Sequence, residues 1–126
     1  MNFVKFINLT DLIQVFINEY CKPGNKILII SEQLNELKNK FEFINCETYF
    51  VTKNSSNKNC DFVVKDFKNL PFEEKSFDII IDLIDFKEIN LDYLKPGGIL
   101  LTNTQILNGN EYYHLNDEIF TLMVET

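Results

Sequence analysis

Apolar and polar positions fall in blocks along this chain, and changes in their period mark its elements. Leu12, Ile13, Phe16, Ile17 and Tyr20 recur at one-, three- and four-residue spacings, which places them on one face of a helix. Thr10 stands where it can cap that helix, and Lys22-Pro23-Gly24 ends it, because proline cannot continue and glycine permits the exit turn. The run from Lys26 to Ile30 is continuously apolar after its first residue and of strand length, the pattern of a parallel strand covered on both faces. Leu34, Leu37 and Phe41 return at helical spacing within a second helix over 32–43. Strands are predicted over 47–52, 61–64 and 77–81, with Leu83 and Ile84 extending the last run past Asp82. Residues 86–94 allow a helix of about two turns. Lys95-Pro96-Gly97-Gly98 reads as a tight turn into a strand over 99–102. Residues 103–118 are polar and poorly periodic, and 119–124 reads as a final strand.

Strands that alternate with helices imply a parallel α/β sheet with right-handed crossovers. The expectation is one domain over 1–126, Rossmann-like, with five to seven strands flanked by helices. The strands over 26–30 and 77–81 are expected side by side at its centre, since both are apolar almost throughout. Ile27, Ile29, Leu34, Leu37, Val63, Ile79, Ile81, Ile99 and Leu101 are the expected core.

Charge narrows the partners. A net charge of −7 would repel a phosphate backbone, so nucleic acid is not an expected partner. The chain has no arginine, the usual bidentate reader of phosphate and carboxylate. Alanine and tryptophan are missing too, while asparagine and lysine abound, which reads as the codon bias of an AT-rich genome. The stretch Lys53-Asn54-Ser55-Ser56-Asn57-Lys58-Asn59 is then a solvated loop. Cys21, Cys46 and Cys60 form no C-x-x-C pair, so neither a disulfide framework nor a zinc site is expected, and free thiols fit a reducing cytosol. His114 lies in no motif with a carboxylate or cysteine and is expected to be structural. No apolar run reaches the roughly 20 residues of a membrane span, and the start Met1-Asn2-Phe3-Val4 lacks the features of a signal peptide. A cytoplasmic monomer is the expectation.

The most specific pattern lies in the second half. Asp66-Phe67-Lys68-Asn69-Leu70-Pro71-Phe72 is followed by Phe77-Asp78-Ile79-Ile80 and then by Leu94-Lys95-Pro96-Gly97-Gly98. This order resembles the second half of class I S-adenosylmethionine-dependent methyltransferases. It implies a methyltransferase-type sheet, trimmed at its end, where the family usually adds two helices and an antiparallel hairpin. By the same resemblance Asp66 matches a position that contacts the cofactor's adenine, although a turn aspartate reads equally well there. Asp82 and Asp85 occupy the strand end where catalytic groups commonly sit.

The first half lacks the matching cofactor loop. A nucleotide-like cofactor approaches the backbone where the first strand turns into its helix, and only glycine lets it come that close. Here the turn is Ser31-Glu32-Gln33. Ser31 reads as a helix N-cap, and Glu32 would set a carboxylate against the cofactor's own. Thr52 and Lys53 end the next strand without a carboxylate for ribose hydroxyls. Ser31, Glu32, Asp66 and Asp82 are therefore expected to be vestigial pocket positions, with no catalytic residue, no bound S-adenosylmethionine and no metal.

Glu74-Lys75-Ser76-Phe77-Asp78-Ile79-Ile80 and Leu94-Lys95-Pro96-Gly97-Gly98, without a glycine loop, also resemble the N-terminal methyltransferase-like domain of the anamorsin family of cytosolic iron–sulfur assembly proteins. That resemblance implies a non-catalytic interaction domain at the start of a longer chain. Iron–sulfur clusters would sit on a cysteine-rich C-terminal region, and the partners would be a diflavin reductase or other assembly proteins in an electron-transfer route. Two alternatives stand beside it: a divergent methyltransferase, and a pseudo-enzyme subunit that activates one.

Overall fold

The computed structural model describes residues 3–6, 8–32, 34–41, 45–53, 60–65, 70–84, 91–103, 111–115 and 118–124. Ile27, Leu28, Ile29 and Ile30 are all fully buried, as an unbroken apolar run requires of a strand covered on both faces. They belong to β2 (Lys26–Ile30) of a sheet whose other strands are β1 (Phe3–Phe6), β3 (Glu47–Thr52), β4 (Phe62–Val63), β5 (Phe77–Asp82), β6 (Leu94–Thr102), β7 (Glu111–Leu115) and β8 (Glu118–Val124). The helices are α1 (Leu9–Tyr20) and α2 (Leu34–Phe41), and a single 3-10 turn spans Leu91–Tyr93. The sheet order is β1-β7-β8-β6-β5-β2-β3-β4. β8 alone runs against its neighbours.

β2 and β5 are adjacent and parallel, with Ile27 opposite Ile79 and Ile29 opposite Ile81, as expected. Side chains along β2 point to opposite faces in turn. Ile27 and Ile29 meet Leu12, Ile13 and Phe16 of α1 and Leu37 of α2. Leu28 and Ile30 join Val51, Leu70, Ile80 and Leu100 on the other face. Both described helices pack on the first face; among the described residues, Leu70, Phe72 and Tyr93 pack on the second.

The methyltransferase-like motif closes that second face. Phe72 sits at the centre of an aromatic group, with ring centroids 4.9 Å from Phe77, 5.3 Å from Tyr49 and 5.3 Å from Phe62. The Tyr93 hydroxyl donates to the Leu70 carbonyl at 3.3 Å and lies 3.2 Å from the Leu70 N–H, which donates to it. One phenol thus satisfies both backbone groups of a buried residue. Tyr93→Phe is expected to cost about 1–3 kcal/mol, the penalty for leaving buried backbone polar groups unpaired. A urea melt reads the loss, and a change below about 0.5 kcal/mol would show that water replaces the hydroxyl.

Asp78 anchors the start of the central strands. Its carboxylate accepts from the Lys26 N–H at 2.9 Å and pairs with Lys95 at 3.4 Å. Lys95-Pro96-Gly97-Gly98 is no turn before a strand. β5 pairs Phe77 with Leu94 and then Ile79 with Ile99, so the segment is a bulge inside β6. The bulge needs its glycines: Gly97 has φ +79°, and a Cβ on Gly98 would lie 2.7 Å from Leu94 Cδ1.

Other expectations shift. The cap of α1 is Asn8, whose Oδ1 accepts from the Asp11 N–H at 2.9 Å and from the Thr10 hydroxyl at 2.6 Å; Thr10 lies in the first turn. α2 starts at Leu34, three residues after Ser31; the Ser31 N–H continues the ladder to the Val51 carbonyl at 3.0 Å. Val63 is 48% exposed on the edge strand β4, and Ile99 is half-buried, so neither belongs to the fully buried core. The side chain of Leu34 lies outside the described residues, as do 85–90, where a two-turn helix was expected to begin. β1 and β7 are additional strands, and the antiparallel β7–β8 hairpin is present where a trimmed ending was expected. Among the described residues, no helix is long and apolar enough to cross a membrane.

Candidate functional site

Each central parallel strand ends its apolar run in a small polar residue. Ser31 follows β2, Thr52 ends β3, Asp82 ends β5 and Thr102 ends β6. All four are at most 2% exposed. With Thr121, which faces Thr102 across the β6–β8 pair, they are the buried polar side chains among the described residues. Buried polar groups are costly unless hydrogen-bonded, so five on one rim of an otherwise apolar sheet mark a site. Open α/β sheets bind ligands beyond the carboxyl ends of strands where the strand order reverses. Here the chain builds outward from β2 to β3 and β4, then returns to add β5 and β6 on the other side. The switch point lies between β2 and β5, between Ser31 and Asp82.

Backbone ladders hold this rim. Beyond the last paired residues, the Leu83 N–H donates to the Ile30 carbonyl at 2.8 Å and the Asn103 N–H to the Asp82 carbonyl at 3.1 Å. The Asp82 carboxylate accepts from the Ile84 N–H and the Thr102 hydroxyl, both at 3.2 Å. Asn103 Nδ2 donates to the Leu83 carbonyl at 3.0 Å, which fixes the amide's orientation. Among the described residues, the buried Asn103 Oδ1 then has no hydrogen-bond partner, an acceptor open to a donor from water or a small ligand.

Glu32 departs most from expectation. Its carboxylate turns toward β3, accepting from the Thr52 hydroxyl at 3.1 Å and from the Lys53 N–H at 3.3 Å. A carboxylate does therefore stand at the end of β3, supplied from the loop after β2. It spans the crevice between the two strand exits. The first turn carries no glycine, and the Ser31 N–H is held in the ladder; both bear on how closely a nucleotide-like cofactor could approach that turn.

Ser31, Glu32 and Asp82 share one rim. Asp66 and Asp85 lie outside the described residues, and so does the His114 side chain. Thr52, Thr102, Thr121 and Asn103 were not anticipated. The signal for Thr52 and Thr102 was a hydroxyl directly after an apolar run, in Val51-Thr52 and Leu101-Thr102. Among the described residues no group of three or more metal-ligating side chains forms. A polar cavity of about 160 Å³, lined in part by Lys22, Asp78 and Lys95, opens at the opposite, amino-terminal rim.

No protein-family model matches the chain, and no curated protein does. Solved structures do. A candidate S-adenosyl-L-methionine-dependent methyltransferase of Methanococcus maripaludis superposes with a TM-score of 0.65 at 11% identity, over 93% of this chain and 84% of that one. A chain in the complex between the Haloferax volcanii Trm112 methyltransferase activator and a candidate methyltransferase gives 0.54 at 15% identity, over 74% and 50%. The [4+2]-cyclase SpnF gives 0.57 at 18%, over 73% and 43%. This chain thus spans about half or less of the length of the last two. At such identities the likeness is one of fold. The chain has an α/β methyltransferase-type fold, and one protein of similar fold is named for a different reaction, so the fold alone does not assign chemistry.

Proposed function

We propose that this is a methyltransferase-fold domain that does not transfer methyl groups and acts by binding another protein. The first turn without glycine carries this reading, because a nucleotide-like cofactor approaches the backbone there and only glycine lets it come that close; the Glu32 carboxylate, bonded to Thr52 and Lys53, stands beside it. The finer placement, in cytosolic iron–sulfur assembly of the anamorsin type, rests on the sequence motif. The packing roles of Leu70, Phe72, Phe77 and Gly98 make that motif a marker of fold more than of pathway. The complex of a similar structure with a methyltransferase activator favours a second reading, a pseudo-enzyme subunit that pairs with an active methyltransferase.

Cofactor titration tests the reading. A ligand at a hundred times its dissociation constant adds about 2.7 kcal/mol of stability, a melting-temperature rise on the order of 10 °C for a domain of this size. No rise is expected with millimolar S-adenosylmethionine. A saturable rise, or methyl transfer to any acceptor, would overturn the non-catalytic reading and favour a divergent methyltransferase.

A further inference from the structure

Cys21 and Cys46 stand at the amino-terminal rim, before two neighbouring parallel strands. Cys21 caps the end of α1, donating its N–H to the Ile17 carbonyl at 3.0 Å. Cys46 immediately precedes β3. Two backbone hydrogen bonds lace the segments together: the Gly24 N–H to the Asn45 carbonyl at 2.7 Å, and the Glu47 N–H to the Asn25 carbonyl at 2.9 Å. The Cys46 thiol donates to the carbonyl of Lys22, the residue after Cys21, at 3.1 Å. Both cysteines are half-buried against the helix-side core. Burial pushes the Cys21 thiol up to about 12, and the charge of Cys46 adds to the shift.

We propose that Cys21 and Cys46 form a reversible disulfide that ties the end of α1 to the start of β3, with a small-molecule disulfide as oxidant. Cys46 sulfur attacks the oxidant's S–S bond, which breaks; a mixed disulfide forms, and the first thiol leaves with the Cys46 proton. Cys21 sulfur then attacks Cys46 sulfur, displacing the second thiol, which takes the Cys21 proton. Two protein thiols are oxidised and one disulfide is reduced to two thiols. The closed loop contains β2 and α2, and with them Ser31 and Glu32. Oxidation at one rim therefore restrains the element that carries the candidate site at the other.

The test treats the folded protein with oxidised glutathione and follows titratable thiols, intact mass and peptide map. The free thiols are expected to fall from the three of the sequence to one, with two hydrogens lost and the Cys21 and Cys46 peptides joined. The melting temperature is expected to rise by roughly 10 °C, from the loop closed in the unfolded chain. Cys60→Ser keeps the cross-link and Cys46→Ser removes it. A thiol count that stays at three, glutathione retained on one cysteine without a cross-link, a joined peptide containing Cys60, or a covalent dimer would each overturn the proposal.

Discussion

Replacing Ile79 with alanine is expected to destabilise the protein by about 2–5 kcal/mol, the range for truncating a buried isoleucine that leaves a cavity. Ile79 is 1% exposed and stands between Ile27 of β2 and Ile99 of β6. Its side chain joins the cluster that includes Phe16 and Leu37, so both helices lose contact atoms. Packing at this density collapses only partly around a deletion. Val63→Ala is the control, since Val63 is 48% exposed at the sheet edge and should cost no more than about 0.5 kcal/mol. Urea denaturation of both variants gives the comparison. A loss below about 1 kcal/mol for Ile79→Ala would mean that β5 is not the centre of the sheet.

Ile79 was legible in the sequence because a central parallel strand is apolar on both faces, and Ile79-Ile80-Ile81 is an unbroken apolar run of that kind. The same logic placed β2, and the helical spacing of Leu12, Ile13, Phe16 and Ile17 placed α1. What escaped was non-local. β1 has four residues, too few to set a period, and its partner β7 lies more than a hundred positions away. β7 carries Tyr112 and Tyr113, good strand formers, and is followed by the two residues Asn116-Asp117 before β8 begins, the length of a hairpin loop. Within a polar stretch without alternation, those signals did not register as a strand.

The site was half legible. The missing glycine loop is a statement about the sequence itself, and the fold puts Ser31, Glu32 and Asp82 on one rim. The direction of the Glu32 side chain could not be read, because it depends on where β3 ends beside β2. The motif also carries packing: Leu70 and Phe77 belong to the cluster on the second face of the sheet, and Phe72 packs against it. A pattern can mark a fold through packing alone.

Truncating Asp82 to alanine is expected to cost about 2–5 kcal/mol. Asp82 is fully buried, and its carboxylate accepts from the Ile84 N–H and the Thr102 hydroxyl. Alanine strands both donors in a place that water does not reach, at about 1–3 kcal/mol each. Thr102→Val removes the second donor from the other side and should cost about 1–2 kcal/mol. The two losses should not add: once Asp82 is gone, the Thr102 hydroxyl has less to lose, and the cycle should show a coupling of about 1 kcal/mol. Chemical denaturation of the parent, both single variants and the double variant measures all four corners. The opposite outcome is equally informative. Removing a buried carboxylate also removes its desolvation cost, so an Asp82→Ala variant as stable as the parent would make Asp82 a net burden on the fold. A burdensome carboxylate at the switch point of an α/β sheet is the mark of a working site, and that result would count against a purely structural rim.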